Sequence, residues 1–122
     1  MDVLSTYEQT LLTGWEDVYK KAQLTLWILL ALKAAPAPMA GIKDFIFEKT
    51  NGTISADDKS MYRALRRFAD AELVSSTALP SANGPDKKIY QLTAIGKQVL
   101  QAFIDRNISR VFFDPSVKQL LG

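Results

Sequence analysis

From Ser55 to Leu100 the chain carries, in unbroken order, a basic amphipathic helix, two short strands and the opening of another helix. The first helix follows from spacing, because Met61, Ala64, Leu65 and Phe68 recur at three and four residues and so share one face. Lys59, Tyr62, Arg63, Arg66 and Arg67 fall on the opposite face. Ser55 or Asp57 can cap its start, with Asp58 adding a carboxylate beside the positive helix end. Leu73 to Leu79 is rich in β-branched and apolar residues, Pro80 to Pro85 is a polar break, and Lys87 to Leu92 completes a hairpin with a flexible tip. Thr93 stands at a natural N-cap, and Ile95, Val99, Ala102, Phe103 and Arg106 mark one stripe of the helix after it. The order describes a helix with a wing.

A chain of 122 residues with 48% hydrophobic content suffices for one domain with one modest core. Cysteine and histidine are both absent. Their absence removes disulfides, thiolate nucleophiles, catalytic triads and the usual zinc or haem ligands, and it fits a reducing compartment. No spacing pairs carboxylates as an acid and a base, so the expectation is a protein that is not an enzyme and needs no cofactor or metal. Met1-Asp2-Val3 lacks the positive-then-apolar order of a signal peptide, which makes cytoplasmic residence the default. The apolar run Leu24 to Leu32 is about half the roughly 20 residues that span a bilayer, so it is a core segment with no membrane partner.

The net charge of +2 does not by itself name a polyanionic partner, so the distribution has to. From Met1 to Lys20, Asp2, Glu8, Glu16 and Asp17 outnumber Lys20, and this end is expected to face away from any polyanion. Between Ser55 and Thr93 the bases Lys59, Arg63, Arg66, Arg67, Lys87 and Lys88 nearly balance Asp57, Asp58, Asp70, Glu72 and Asp86. What favours DNA is placement. The bases lie on one helix face and at the base of one hairpin, where a phosphate track can meet them together.

Upstream, Ser5-Thr-Tyr-Glu8 reads as a capping box for a short first helix and Thr13-Gly-Trp-Glu16 as another for a long second one ending near Lys33. Ala34-Ala-Pro-Ala-Pro38 stops that helix. Met39 to Lys49 forms a compact helix with Ile42, Phe45 and Ile46 inward, followed by a turn in which Asn51 or Gly52 takes positive φ. The last helix runs from Ala94 to about Phe113 and ends at Asp114-Pro115.

These residues resemble the PadR-like transcriptional regulators over roughly Lys21 to Gln101. The likeness is carried by Leu26-Trp-Ile-Leu-Leu-Ala-Leu32, Pro38-Met-Ala-Gly-Ile42, Met61-Tyr-Arg-Ala-Leu-Arg-Arg-Phe68 and Lys88-Ile-Tyr-Gln-Leu-Thr-Ala-Ile-Gly-Lys97. In the last of these, Tyr90, Leu92, Thr93 and Gly96 match the family's passage from wing to final helix. Three positions depart from it. Ile42 stands for a usual tyrosine, Asp57-Asp58-Lys59 replaces a Ser/Thr-Pro-small turn, and Glu72 replaces a glycine before the first wing strand. Two carboxylates at the helix start oppose phosphates there, and a left-handed terminus is less comfortable for Glu72.

The resemblance implies a mainly α fold with a small β-hairpin: a winged helix-turn-helix with extra N- and C-terminal dimerisation helices. The single domain then divides into an arm over 1–20, a DNA-binding core over 21–92 and a dimerisation helix and tail over 93–122. It also implies a homodimer that sets two recognition helices in successive major grooves of double-stranded DNA, acting as a repressor. The expected DNA contacts are Lys59, Ser60, Tyr62, Arg63, Arg66, Arg67, Lys87 and Lys88, mostly to phosphates. Taken without the family, an arginine-rich helix face is equally well plain solvated surface, and edge lysines also discourage aggregation.

For the dimer interface, Leu11, Trp15, Val18 and Tyr19 before the core and Phe103, Val111 and Phe112 after it supply apolar surface that a small domain cannot bury alone. Some relatives hold flat aromatic ligands between subunits. By that resemblance Trp15, Trp27 and Phe103 are candidate walls of a small aromatic effector site, although aromatics at helical spacing more often pack a core. The alternative is a winged-helix protein-protein interaction module without specific DNA binding, which would account for the weak net charge and the Asp57-Asp58 turn.

Overall fold

The computed structural model describes residues 3–85 and 87–122, so Asp2 and Asp86, counted above in the charge distribution, lie outside the described residues. Helix α1 runs without interruption from Thr6 to Ala34. Its start is the expected capping box, in which the Glu8 N–H donates to Ser5 Oγ at 3.1 Å and the Ser5 N–H donates to Glu8 Oε1 at 2.8 Å. The second expected start, at Thr13, does not form, and a single helix replaces the short and long pair. A glycine inside a helix costs about 1 kcal/mol relative to alanine, whereas a break at Gly14 would leave both new ends with unpaired backbone groups. The helix therefore runs on through Gly14.

Ala35 turns to extended backbone before Pro36, which ends α1 as expected. Between the two prolines Ala37 has an amide donor, and it uses it: the Ala37 N–H donates to the Tyr90 carbonyl at 3.0 Å and the Tyr90 N–H donates back at 2.9 Å. This single-residue bridge ties the α1–α2 link to the wing, and nothing local in the sequence announces it. Helix α2 spans Met39–Lys49, and the turn after it places Asn51 and Gly52 both at positive φ, 54° and 75°.

Helix α3 spans Asp58–Asp70 and is capped by Asp57, whose carboxylate accepts from the Ser60 N–H at 2.7 Å. It ends in a left-handed residue, Glu72, at φ 63°. The Glu72 N–H donates to the Ala69 carbonyl and the Leu73 N–H to the Phe68 carbonyl, which closes the helix end in the usual paired manner. The left-handed turn thus survives the replacement of glycine, with a side chain that prefers otherwise.

Strands β1 (Val74–Leu79) and β2 (Lys87–Leu92) form an antiparallel hairpin in which Val74 faces Leu92 and Ser76 faces Tyr90. Alternation sends Val74, Tyr90 and Leu92 into the core at the root of the hairpin, while its far end is exposed. Helix α4 (Ala94–Ile104) starts at Thr93, whose hydroxyl accepts from the Gly96 N–H at 3.0 Å and donates to the Glu72 carbonyl at 2.5 Å. A π-helical turn, Asp105–Ser109, widens the helix before the short α5, Arg110–Phe112. Asp114-Pro115 ends that path as expected but also opens α6 (Pro115–Leu121), because a proline at the first helical position has no amide to orphan and Asp114 accepts from Ser116 and Val117. The expected tail is therefore helical.

The core joins Ile28, Leu29 and Leu32 of α1, Ile42 and Ile46 of α2, and Met61, Leu65 and Phe68 of α3 to the root of the wing and Leu100 of α4. Leu100 and Gly96 point inward, which leaves Ile95, Val99 and Phe103 on the outer side of α4. Lys33 Nζ donates to Gln101 Oε1 at 3.1 Å and ties α1 to α4.

Candidate nucleic-acid interface

The packing of Met61, Ala64, Leu65 and Phe68 into the core fixes the rotation of α3 and turns its basic side outward. Tyr62, Arg63 and Arg66 then line one wall of an open groove of about 1070 Å³. Met39 and Ala40, at the start of α2, and Lys87, Lys88 and Tyr90 of the wing also line it. Five of the expected DNA-contacting residues, Tyr62, Arg63, Arg66, Lys87 and Lys88, are thereby brought to one surface.

Three others stand apart from this lining. Lys59 is exposed at the first turn of α3, and Ser60 is half-buried with its amide committed to Asp57. Arg67 is exposed, with its guanidinium 5.9 Å from the centre of the Phe68 ring, on a flank of the helix outside the groove. A helix advances about 100° per residue, so adjacent arginines point to different sides.

Among the described residues, none of Arg63, Arg66, Arg67, Lys87 and Lys88 has a carboxylate partner within 4.0 Å; the ion pairs there are Lys20 with Glu16 and Lys43 with Asp58. The groove thus presents several cations with no carboxylate within 4.0 Å among the described residues, and Asp70 is also in its lining. Burial holds the Tyr90 hydroxyl above the usual phenol range, with Tyr62 close by adding to the effect. The Ser60 amide, followed by the Ser60 hydroxyl and the charges of Arg63 and Lys43, holds the Asp57 carboxyl below the usual carboxylate range.

The model of the PadR-like transcriptional regulator family matches residues 28–102, from the buried half of α1 into α4, and takes in the whole groove. The chain belongs to the PadR-like family. It is accordingly one of a family of DNA-binding transcriptional regulators and not an enzyme. Among solved structures, this PadR-like chain is similar to Bacillus subtilis PadR in complex with operator DNA, at 25% identity over 69% of this chain and 48% of that one, with a TM-score of 0.62. A PadR family regulator from Clostridium difficile R20291 is 25% identical over 82% of this chain and 99% of its own, with a TM-score of 0.63. A PadR family regulator from Eggerthella lenta shares the fold across 96% of this chain and 97% of its own at 19% identity, with a TM-score of 0.73. No curated protein matches the chain.

The PadR-like core accounts for one of the departures noted in the sequence. Ile42, where the family usually has tyrosine, is fully buried and serves only packing. The sequence reading missed Met39 and Ala40 as groove residues and Lys43 as the partner of Asp58. The approach of one helix start to the next is set by tertiary packing, and an apolar Met-Ala pair carries no local signal of it.

The expected dimer residues also have defined places. Leu11, Trp15, Val18 and Tyr19 lie on the first half of α1, exposed, with Trp15 at 75% and Val18 at 69%. Phe103, Val111 and Phe112 are exposed on α4 and α5, with Phe103 at 47%. Trp27 is half-buried and packs against the core, away from the exposed aromatics in character. No helix among the described residues is long and apolar enough to cross a membrane.

Proposed function

We propose that this protein is a homodimeric, sequence-specific DNA-binding repressor in which α3 enters the major groove and the wing lysines clamp the flanking phosphates. The observation that carries the reading is the groove itself, where Arg63, Arg66, Lys87 and Lys88 converge with no carboxylate partner among the described residues. Guanidinium groups on a protruding helix suit guanine edges and phosphates alike, and lysines on a hairpin suit phosphates. The relative solved with operator DNA supports the same use of the fold. Two copies are needed to present two recognition helices about one DNA turn apart, and the exposed apolar faces of α1 and α4–α5 are the surfaces that would join them. Release by a small aromatic effector would act at that junction, where Trp15 and Phe103 are exposed and Trp27 backs onto the core.

The test is a salt titration of binding to a duplex covering the protein's own promoter, with random duplex and an Arg63→Ala/Arg66→Ala variant as controls. Tight, promoter-selective binding that weakens steeply with salt and is lost in the variant is the expected result. Weak and equal binding to both duplexes would overturn it in favour of a protein-binding module.

A further inference from the structure

The acidic turn that opens α3 has no role in the DNA reading so far. Asp58 lies one and two turns before Tyr62 and Arg66, on the same stripe of the helix, and both of those residues line the groove. Lys43 lies one turn after Met39 and Ala40, which line the same groove from α2. The two side chains meet next to these residues, outside the groove's own lining, with Lys43 Nζ 2.5 Å from Asp58 Oδ1. Asp57 is committed elsewhere, to the Ser60 amide. Of the cations beside the groove, Lys43 is thus the one already matched by a carboxylate of its own chain among the described residues.

We propose that Asp58 is an internal substitute for a DNA phosphate, which keeps Lys43 out of the protein–DNA contact and so limits sequence-independent affinity. The proposal rests on the DNA reading of the groove. A lysine one turn beyond the α2 residues that line the groove is a ready phosphate ligand once freed. Phosphate contacts are read without regard to sequence, so each one withheld lowers binding to every duplex and flattens its salt dependence. The pair is partly exposed, with Lys43 at 35% and Asp58 at 66%. Exposed pairs contribute little to stability, so breaking this one leaves the fold intact.

The experiment measures binding of the full chain to random and promoter duplexes by fluorescence anisotropy across about 50 to 200 mM salt. It compares wild type, Asp58→Asn, Lys43→Met and the double variant, with helix content and melting as the check on folding. Asp58→Asn should steepen the slope of log affinity against log salt by about 0.9 per protomer, so that a fourfold rise in salt weakens binding more than in wild type by about 3.5-fold per protomer, or about 12-fold for a dimer. Lys43→Met alone should leave the wild-type slope unchanged, and in the Asp58→Asn background it should restore that slope. Two outcomes overturn the inference while the DNA reading stands. Lys43→Met lowering the slope equally in both backgrounds would mean that Lys43 already meets phosphate, and an Asp58→Asn slope equal to wild type, or steeper regardless of Lys43, would mean that Asp58 merely repels. A wild type with no salt-dependent binding to either duplex overturns the DNA reading itself, and this inference with it.

Discussion

Replacing Gly96 with alanine sets two effects of opposite sign against each other. Helix propensity favours the change by about 1 kcal/mol, because alanine loses less backbone entropy inside a helix. Packing opposes it. A Cβ at Gly96 would stand 2.0 Å from the Leu73 carbonyl oxygen, where ordinary contact begins at 3.4 Å, so α4 or the α3–β1 link has to move by more than an ångström. That oxygen is already held, accepting from the Thr93 N–H at 3.1 Å and from the Thr93 hydroxyl at 3.2 Å. Overpacking of this kind costs about 1–3 kcal/mol and each displaced hydrogen bond about 1 kcal/mol more, so the net loss after the propensity gain is about 2–4 kcal/mol. In a domain of this size that lowers Tm by roughly 10 °C. Thermal and urea unfolding followed by circular dichroism measure it, with Gly14→Ala as the control, since nothing lies within 4 Å of a Cβ there. Gly14→Ala should raise Tm by a few degrees, because the propensity gain there meets no packing cost. A Gly96→Ala protein as stable as wild type would refute the packing argument.

Glu72→Gly should raise stability by about 1 kcal/mol, seen as a Tm higher by a few degrees, because φ 63° strains any side chain with a Cβ. The Asp57 carboxyl is held below the usual range in the folded protein, so its contribution is present above the unfolded carboxylate value and is lost as pH falls through the depressed one. The Tm advantage of wild type over Asp57→Asn should therefore shrink on acidification, and a gap constant with pH would contradict the cap assignment. Trp15→Glu and Phe103→Glu should each give a folded monomer by sedimentation, with weakened promoter binding, whereas wild type should sediment at twice the chain mass; a wild-type monomer would exclude the dimer.

Much of the core of this fold is legible in the sequence because its signals act over three or four residues. The Met61, Ala64, Leu65 and Phe68 spacing identifies the buried side of α3, Thr93 forms its cap as read, Asp57 is the one of the two candidates, Ser55 or Asp57, that caps α3, and Lys87 to Leu92 is a strand at the bounds expected. The Lys88 to Lys97 motif also becomes physically intelligible. Thr93 and Gly96 are needed where α4 starts against the backbone of Leu73, one to bond it and the other to let it approach.

What the sequence left open depends on partners far along the chain. Thr13-Gly14 has the composition of a helix start, yet α1 runs through it, because continuing the hydrogen-bond ladder outweighs one glycine. Asp114-Pro115 reads as a stop and is also a start. Ala37 pairs with Tyr90 across more than half of the core, and Arg66 enters the groove while Arg67 does not, although the two are neighbours of one residue type. The Ile95, Val99 and Phe103 stripe is evident from spacing, but only the packing of Leu100 and Gly96 turns it outward. Local chemistry determines which segments are helix, strand or turn, since caps and periodicity act within a turn or two of the chain. The direction each face points, and hence the assembly of the groove, follows from how those segments bury one shared core.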